Sequence, residues 1–127
     1  MAILGHGVDI VDVARVAQMH ADHGGHFLDR CFTPAEQAYC LKRKACDMHL
    51  AGRFAAKEAI LKVLGTGWRG MIAWTDMEIL NDGSGKPRVT LSGESAKVAA
   101  ELGIVRWHVS ISHTESHAIG SAIGESA

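Results

Sequence analysis

The sequence predicts a small α+β domain in which mainly antiparallel strands pack against a long central helix. Apolar residues recur with a helical period over about residues 47–64, and apolar and polar residues alternate along much of the chain after Gly67. The order of one strand, then helices, then mostly strands favours this class over a regularly alternating α/β fold. Because a length of 127 residues is typical of one domain, we expect a single domain over residues 1–127.

The first elements are a strand and a short helix. Val8 and Ile10 alternate with Asp9, so a strand here directs both aliphatic side chains to one face and the carboxylate to the other. Asp12 is placed to cap a helix that runs to about Met19. Gly24 and Gly25 interrupt this helix, and a short apolar group follows at Phe27, Leu28 and Phe32.

The next two helices have clear end signals. Thr33, Pro34 and Glu36 form a capping box with proline at the first helical position, which predicts a helix start. The central helix covers about residues 47–64. Gly65 stands just past its end, where a glycine in the left-handed conformation terminates a helix.

The second half of the chain predicts two hairpins around a helix. Strands over residues 72–80 and 88–91 are joined by a turn-rich loop over residues 81–87, and Ser92 is placed to cap a helix that ends near Leu102. A strand over residues 105–111 and a turn near residues 114–116 lead to a last strand over residues 117–124. This last strand is rich in small residues and would be a poor free edge, so we expect another subunit to cover it.

Charge and cysteine content exclude several classes of protein. The formal net charge of −1 gives no field that would gather nucleic acid or an anionic membrane. No segment approaches the roughly 20 apolar residues of a membrane span, and the N-terminal segment lacks the basic flank of a signal peptide, so we expect a cytoplasmic protein. Cys31, Cys40 and Cys46 lack CxxC spacing, which favours reduced thiols over disulfides.

One arc of the central helix carries the residues best suited to bind a ligand or take part in catalysis. On a helical wheel, apolar residues occupy most of the circumference, and Glu58 and Lys62 share the remaining arc. Their neighbours on this arc are the small Ala51 and Ala55, which we expect to leave room for a ligand. An exposed pair at this spacing contributes only about 0.2–0.5 kcal/mol, and on the pattern alone that is the simpler interpretation. The alternative is that Glu58 binds Mg²⁺ and Lys62 a substrate pyrophosphate, with Asp9 as the second carboxylate.

Other candidate motifs are weaker. The glycine-rich segments at residues 65–67 and 82–85 are typical of a helix stop and a turn, although their backbone N–H groups could also approach an anion or a purine. The spacing of His20, His23 and His26 does not place them on one helical face, so it does not favour zinc. Strand alternation points Ser112 and His113 apart, and no GxSxG elbow is present, which argues against a hydrolytic triad.

Taken together, the motifs resemble one family. They are GVDIV at residues 7–11, RFAAKEA at residues 53–59, Lys62, LGTG at residues 64–67, GKP at residues 85–87 and VSISHT at residues 109–114. In this order they are similar to the holo-acyl-carrier-protein synthases, the small class of phosphopantetheinyl transferases. The resemblance covers nearly the whole chain and implies a phosphopantetheinyl transferase-like fold.

The resemblance also implies an activity and its residues. A Mg²⁺ held by Asp9 and Glu58 would assist transfer of 4′-phosphopantetheine from coenzyme A to a serine of apo acyl carrier protein, releasing 3′,5′-ADP, as a step in fatty acid biosynthesis. Lys62 would contact the phosphate, and Glu58 would act as base, directly or through a water on the metal. Coenzyme A would contact Lys44, Arg53, Lys62, Gly65, Ser84, Gly85, Lys86, Pro87, Ser112, His113 and Thr114.

Assembly and partner binding follow from the same resemblance. It implies a homotrimer with coenzyme A bound between subunits, and a carrier-protein surface formed by Arg15, Met19, Phe27 and Arg30. Nearby histidines and aspartates dilute the positive charge of this surface, which suggests either that partner binding is weaker or that it strengthens at mildly acid pH as histidines become charged. Two alternatives remain at this stage: a Mg²⁺-dependent pyrophosphate hydrolase and a non-catalytic nucleotide-binding module.

Overall fold

The computed structural model describes residues 1–65 and 72–127. Within these ranges it confirms an α+β fold with antiparallel strands around a long helix. Thr66 and Gly67 of the predicted glycine-rich loop lie outside the described residues. The elements in chain order are β1 (Ile3–Asp12), α1 (Val13–His23), α2 (Gly25–Cys31), α3 (Pro34–Leu41), α4 (Cys46–Leu64), a 3₁₀ turn (Trp74–Asp76), β2 (Met77–Asn81), β3 (Pro87–Leu91), α5 (Gly93–Glu101), β4 (Arg106–His113) and β5 (His117–Glu125).

The main sheet has three antiparallel strands in the order β1-β5-β4, and one of its faces packs against α4. Asp9 pairs with Gly120 and Asp12 with His117, while β2 and β3 form a separate hairpin. The expectation that another subunit covers the last strand is wrong, because β5 is hydrogen-bonded on both sides by strands of the same chain. The edges of this sheet are β1 and β4.

Small residues explain why β5 lies in the centre. Every second residue, from Ala118 to Gly124, is buried against α4. A Cβ atom added at Gly120 would come closer than 3.0 Å to the backbone of Ala55 and Ala56, and one added at Gly7 would overlap the Ala59 carbonyl. The absence of side chains therefore allows sheet and helix backbones to approach each other.

Gly120→Ala is expected to lower the free energy of unfolding by about 3 kcal/mol, the upper part of the usual range for overpacking, because the new methyl group meets helix backbone that cannot rotate away. Gly25→Ala is the matched control, since nothing lies within 4 Å of its added Cβ and its φ is not positive. The control should change stability by less than about 1 kcal/mol. Urea denaturation measures both, and equal stability of the two variants would contradict the close contact.

Helix ends agree with the sequence at two of the four predicted end signals. The Thr33–Glu36 capping box is formed, and Gly65 ends α4 with a φ of 74°. Asp12 precedes α1 but makes no side-chain cap; its carboxylate lies 2.9 Å from Nε2 of His117. The helix continues beyond the predicted end to His23.

The first hairpin begins later than predicted, at Met77 rather than at residue 72. The preceding 3₁₀ turn ends at Asp76, whose carboxylate accepts a hydrogen bond from the Ala73 N–H and whose carbonyl accepts one from the Ser92 N–H. Ser92 occupies the position before α5 but makes no side-chain cap. These contacts fix the chain in a turn, and local alternation does not reveal them.

A buried ion pair lies inside the core. The Lys57 ammonium is fully buried and donates to the Glu36 carboxylate at 2.7 Å, the Cys31 carbonyl at 2.7 Å and the Trp74 carbonyl at 3.1 Å. Glu36 also accepts from the backbone N–H groups of Thr33 and Ile79. Because these contacts use all three donors of Lys57, the charge is fully partnered.

The three cysteines are free thiols, as predicted. Cys31 and Cys40 are buried, and burial raises the pKa of Cys40 to about 11. Both thiols are therefore protected from solvent reagents. Among residues 1–65 and 72–127, no helix combines the length and apolar character needed to cross a membrane.

Candidate active site

A cavity of about 470 Å³ lies along the edge strand β1 and contains both predicted metal ligands. We call it the carboxylate cavity. Asp9 faces α4, whereas Val8 and Ile10 are exposed on the opposite face, as the alternation predicted. The cavity is lined by Asp9, Ile10, Val11, Asp12, Arg15, Val16, Met19, Phe54, Glu58 and His117.

Two carboxylates that are distant in sequence converge in this cavity. Burial first, and the Asp9 carboxylate next, raise the pKa of Glu58, while Lys62 and Arg15 act in the opposite direction. Lys62 Nζ donates to the Val8 carbonyl at 2.8 Å and lies 3.2 Å from Oδ1 of Asp9. Within the described ranges Glu58 makes no hydrogen bond or ion pair, so its carboxylate is available to a ligand.

The small residues beside Glu58 have a different role from the one expected. Ala51 and Ala55 are fully buried and do not line the carboxylate cavity. The backbone of Ala55 lies under Gly120 of β5. The expectation that these alanines leave room for a ligand is therefore wrong, and the opening lies instead between α4, α1 and β1.

A second cavity of about 140 Å³, the arginine cavity, holds several of the predicted coenzyme A contacts. Arg53 is only 3% exposed, its Nη2 donates to Oδ1 of Asn81 at 3.1 Å, and its guanidinium lies 4.3 Å from the centre of the Tyr39 ring. Its Nε has no hydrogen-bond partner within the described residues. The cavity is lined by Tyr39, Met48, His49, Arg53, Asn81, Gly85, Pro87, Ile111 and His113.

The electrostatics of the arginine cavity suit an anion. The His49 and His113 rings are 5.6 Å apart. Burial first, and then the charges of Arg53, His113 and Arg43, lower the pKa of His49. The positive charges of Arg53 and Arg43, together with the Arg53 Nε–H that has no partner in the described part of the chain, are a favourable setting for a phosphate.

The β2–β3 loop supplies part of this cavity. The Asp82 carboxylate accepts hydrogen bonds from the Ser84 N–H and hydroxyl and from the Lys86 N–H, which holds the loop in one shape. Gly85, with a φ of 86°, and Pro87 then line the cavity. Ser84 and Lys86 are exposed beside it.

Seven predicted coenzyme A contacts do not line the cavities described: Lys44, Lys62, Gly65, Ser84, Lys86, Ser112 and Thr114. Ser112 lies on the sheet face opposite to His113, as the alternation indicated. The Thr114 hydroxyl accepts from the N–H groups of Ser116 and His117, which makes it part of the final turn. Coenzyme A contacts at these seven positions stay predictions.

The predicted carrier-protein residues surround two adjoining cavities. Arg15 lines the carboxylate cavity, and Met19 is shared with a third, largely apolar cavity of about 480 Å³, the aromatic cavity. Phe27 is 4% exposed, so it forms a wall rather than a projecting contact. The aromatic cavity is lined by Met19, His23, His26, Phe27, Arg30, Cys31, Phe54 and Trp74.

Several residues of these cavities were missed by the sequence analysis. Tyr39 and Asn81 meet through a hydrogen bond between α3 and the end of β2, a contact that no local pattern predicts. His49 lies on α4 but outside the arc that carries Glu58 and Lys62. His117 was missed because it lies opposite Asp12 only through the pairing of β1 with β5, two strands that are distant in sequence.

Comparison with known proteins identifies the family of this chain. The sequence profile of the 4′-phosphopantetheinyl transferase superfamily matches residues 5–121. A holo-[acyl-carrier-protein] synthase of Koribacter versatilis is 46% identical over 123 residues, covering 97% of this chain and 98% of the relative.

Two solved structures share the fold. The crystal structure of the Neisseria meningitidis holo-[acyl-carrier-protein] synthase has a TM-score of 0.88 at 34% identity, covering 98% of this chain and 99% of the other. The Helicobacter pylori synthase, solved in complex with coenzyme A, has a TM-score of 0.83 at 32% identity, covering 94% and 99%. The chain therefore belongs to the holo-[acyl-carrier-protein] synthase family of the 4′-phosphopantetheinyl transferase superfamily.

Proposed function

We propose that this protein transfers the 4′-phosphopantetheine arm of coenzyme A to a serine of apo acyl carrier protein and releases 3′,5′-ADP, in the cytoplasm and for fatty acid biosynthesis. The observation that carries the proposal is the convergence of Asp9 and Glu58 in one cavity, with Lys62 against Asp9, in a chain of this family. Such transfers depend mainly on positioning and on neutralisation of charge.

The donor set of the carboxylate cavity fits Mg²⁺. Asp9 and Glu58 offer hard carboxylate oxygens, and Asp9 already raises the pKa of Glu58 through like-charge repulsion. When bound there by Asp9 and Glu58, Mg²⁺ would offset part of the negative charge on the pyrophosphate of coenzyme A. Arg15, which lines the same cavity, adds a further positive charge for the anionic substrate.

Lys62 and Glu58 then have separate tasks. The Lys62 side chain is 53% exposed and tied to β1 through the Val8 carbonyl, so its ammonium is held beside Asp9 and open to a phosphate oxygen. Glu58 has a free carboxylate in the cavity and is our candidate to accept the proton of the attacking serine. The enzyme needs no nucleophile of its own, because the carrier protein supplies the hydroxyl group.

The arginine cavity is the proposed site of the 3′-phosphate and adenine. Arg53 offers an unpartnered Nε–H, His113 faces the same space, and the loop carrying Gly85 and Pro87 forms the adenine side. This cavity shares no lining residue with the carboxylate cavity. We therefore propose that the two parts of coenzyme A are bound by cavities from neighbouring subunits.

Arg53→Met should raise the KM for coenzyme A roughly 30-fold, because a charge-assisted hydrogen bond to phosphate contributes on the order of 2 kcal/mol. The wild type should prefer coenzyme A to dephospho-coenzyme A, which lacks the 3′-phosphate, and the variant should lose this preference. Steady-state kinetics with both donors measure the difference. A variant that still discriminates between the donors as the wild type does would remove Arg53 from the 3′-phosphate site.

The exposed face of the main sheet supports an assembly. Leu4, Val8, Ile10 and Ile119 are 46%, 51%, 61% and 41% exposed on the side away from α4, which is unusual for a monomer surface. We propose that two further copies cover this face in a homotrimer, three being the number that the family resemblance implies. Analytical ultracentrifugation tests the number of subunits, and a monomer at micromolar concentration would contradict the proposal.

The carrier protein is proposed to dock beside the carboxylate cavity. Arg15 and Arg30 are exposed cations at the two adjoining cavities, and Met19 lies between them. This arrangement suits an acidic partner whose serine must enter the carboxylate cavity. His23 and His26 border the aromatic cavity, while His20 is paired with Asp47 instead.

One experiment tests the proposed activity. The protein is incubated with coenzyme A, Mg²⁺ and an apo acyl carrier protein, and the carrier protein is weighed by mass spectrometry. The expected result is a phosphopantetheine adduct with equimolar 3′,5′-ADP. Release of 3′,5′-ADP without an adduct would point to hydrolysis, and unchanged coenzyme A would point to a binding module; either result contradicts the proposal.

A further inference from the structure

A second group of metal-binding side chains lies where α1 meets the start of α4. His20 belongs to α1, and Cys46 and Asp47 are the first residues of α4. Nδ1 of His20 lies 3.0 Å from Oδ1 of Asp47, and the ligand atoms of all three residues lie within 4.8 Å of one another. We propose that His20, Cys46 and Asp47 form a zinc site that is separate from the carboxylate cavity.

The geometry is close to that of a tetrahedral site. Zinc bonds of about 2.0–2.3 Å place neighbouring ligand atoms roughly 3.3–3.8 Å apart. The three ligand atoms are within about 1 Å of this arrangement, and the side chains of His20 and Asp47 are 27% and 35% exposed, so small rotations are possible. A water molecule from the solvent side would take the fourth position.

The donor atoms distinguish this site from a magnesium site. Imidazole nitrogen and thiolate sulfur suit Zn²⁺ or Co²⁺, whereas Mg²⁺ requires oxygen donors such as those of Asp9 and Glu58. The Cys46 thiolate and the Asp47 carboxylate together balance a divalent charge. Both anions also lie in the first turn of α4, where the helix dipole favours negative charge.

The competing interpretation is an ordinary ion pair between His20 and Asp47 with a thiol beside it. Burial first, and the Asp47 carboxylate next, raise the pKa of Cys46, so a bound cation has to displace the thiol proton. An ion pair alone predicts no thiolate–metal bond. The two interpretations therefore differ in whether a thiolate–metal bond forms, which absorption spectroscopy detects directly.

Metal binding here would connect two functional elements. α1 carries Arg15 and Met19, and α4 carries Glu58. A metal that joins the end of α1 to the start of α4 would fix the proposed docking surface relative to the catalytic helix. Zinc should consequently raise the thermal stability of the whole protein.

Cobalt titration of the full-length reduced protein tests the site, with millimolar Mg²⁺ present to occupy oxygen-only sites. We expect a cobalt–thiolate charge-transfer band that saturates at one Co²⁺ per chain and disappears when Zn²⁺ replaces it. Cys46→Ser, His20→Ala and Asp47→Asn should each weaken binding at least about 100-fold, since even the loss of residues that only support a metal ligand costs 10–100-fold. His23→Ala, one turn from His20, is the matched control and should keep the band.

Thermal unfolding gives a second readout. Zn²⁺ should raise the Tm of the wild type by about 3 °C or more and leave the Tm of Cys46→Ser unchanged. Absence of a thiolate band at millimolar Co²⁺ would overturn the proposal. So would a band that survives Cys46→Ser, because that band would come from another cysteine, or equal cobalt affinity in wild type and His20→Ala.

Discussion

Glu58→Gln is expected to lower kcat for phosphopantetheine transfer at least about 100-fold, because it removes a metal ligand and the candidate base while keeping the size of the side chain. Asp9→Asn should have an effect of the same order. The rate of adduct formation on the carrier protein, followed by mass spectrometry over a range of Mg²⁺ concentrations, measures both. The two variants should also require more Mg²⁺ for half-maximal activity.

Stability separates a chemical defect from a folding defect in these variants. Burial and Asp9 raise the pKa of Glu58, which means that the fold disfavours its ionised form when no cation is bound. Glu58→Gln should therefore have a Tm in EDTA equal to or above that of the wild type. Glu101→Gln, on the exposed side of α5, is the control and should leave rate and Tm unchanged. Near-normal rates in both Glu58→Gln and Asp9→Asn would refute the proposed site.

The carboxylate pair was predictable because two periodicities define it. Alternation along β1 separates Asp9 from Val8 and Ile10, and the helical period of α4 leaves Glu58 on an accessible arc. Each of these two patterns is local, and only the family resemblance predicted that Asp9 and Glu58 belong to one site. The arginine cavity is different, since α3, α4, β2 and the β2–β3 loop meet there only through tertiary packing.

The strand order was not predictable by the same means. Small residues in β5 indicated a weak edge strand, yet the same residues permit the close approach of Gly120 to α4. Alternation identifies which residues share a face but carries no information on which strands become neighbours. Glycine or alanine at every second position of β5 indicates close contact with a helix, whereas the sequence analysis took these small residues only as a sign of a poor free edge.

Lys57 also escaped the sequence analysis. It lies next to Glu58, but the helix turns it by about 100°, into the core. Its partner Glu36 belongs to α3 and was assigned only to the capping box. No pattern within one helix predicts an ion pair between two helices, because the partner is set by how α3 and α4 pack.

Lys57→Met should lower the free energy of unfolding by about 3–5 kcal/mol, the cost expected when one partner of a buried ion pair is removed. Methionine fills much of the same volume, so packing loss is small. The Glu36 carboxylate, however, stays fully buried with two backbone N–H groups and no cation. The Cys31 and Trp74 carbonyls lose the ammonium donor at the same time. Urea denaturation of the purified variant measures the loss.

A double-mutant cycle tests whether this cost belongs to the pair. Glu36→Gln alone should also destabilise the protein. The double variant Lys57→Met with Glu36→Gln should lose at least about 1 kcal/mol less free energy of unfolding than the two single variants lose in sum, because residues in one network are energetically coupled. Lys97→Met on exposed α5 is the matched control and should change stability by less than about 0.5 kcal/mol. Additive losses of stability, or a Lys57→Met variant as stable as the Lys97→Met control, would show that the ion pair between Lys57 and Glu36 does not stabilise the packing of α3 against α4.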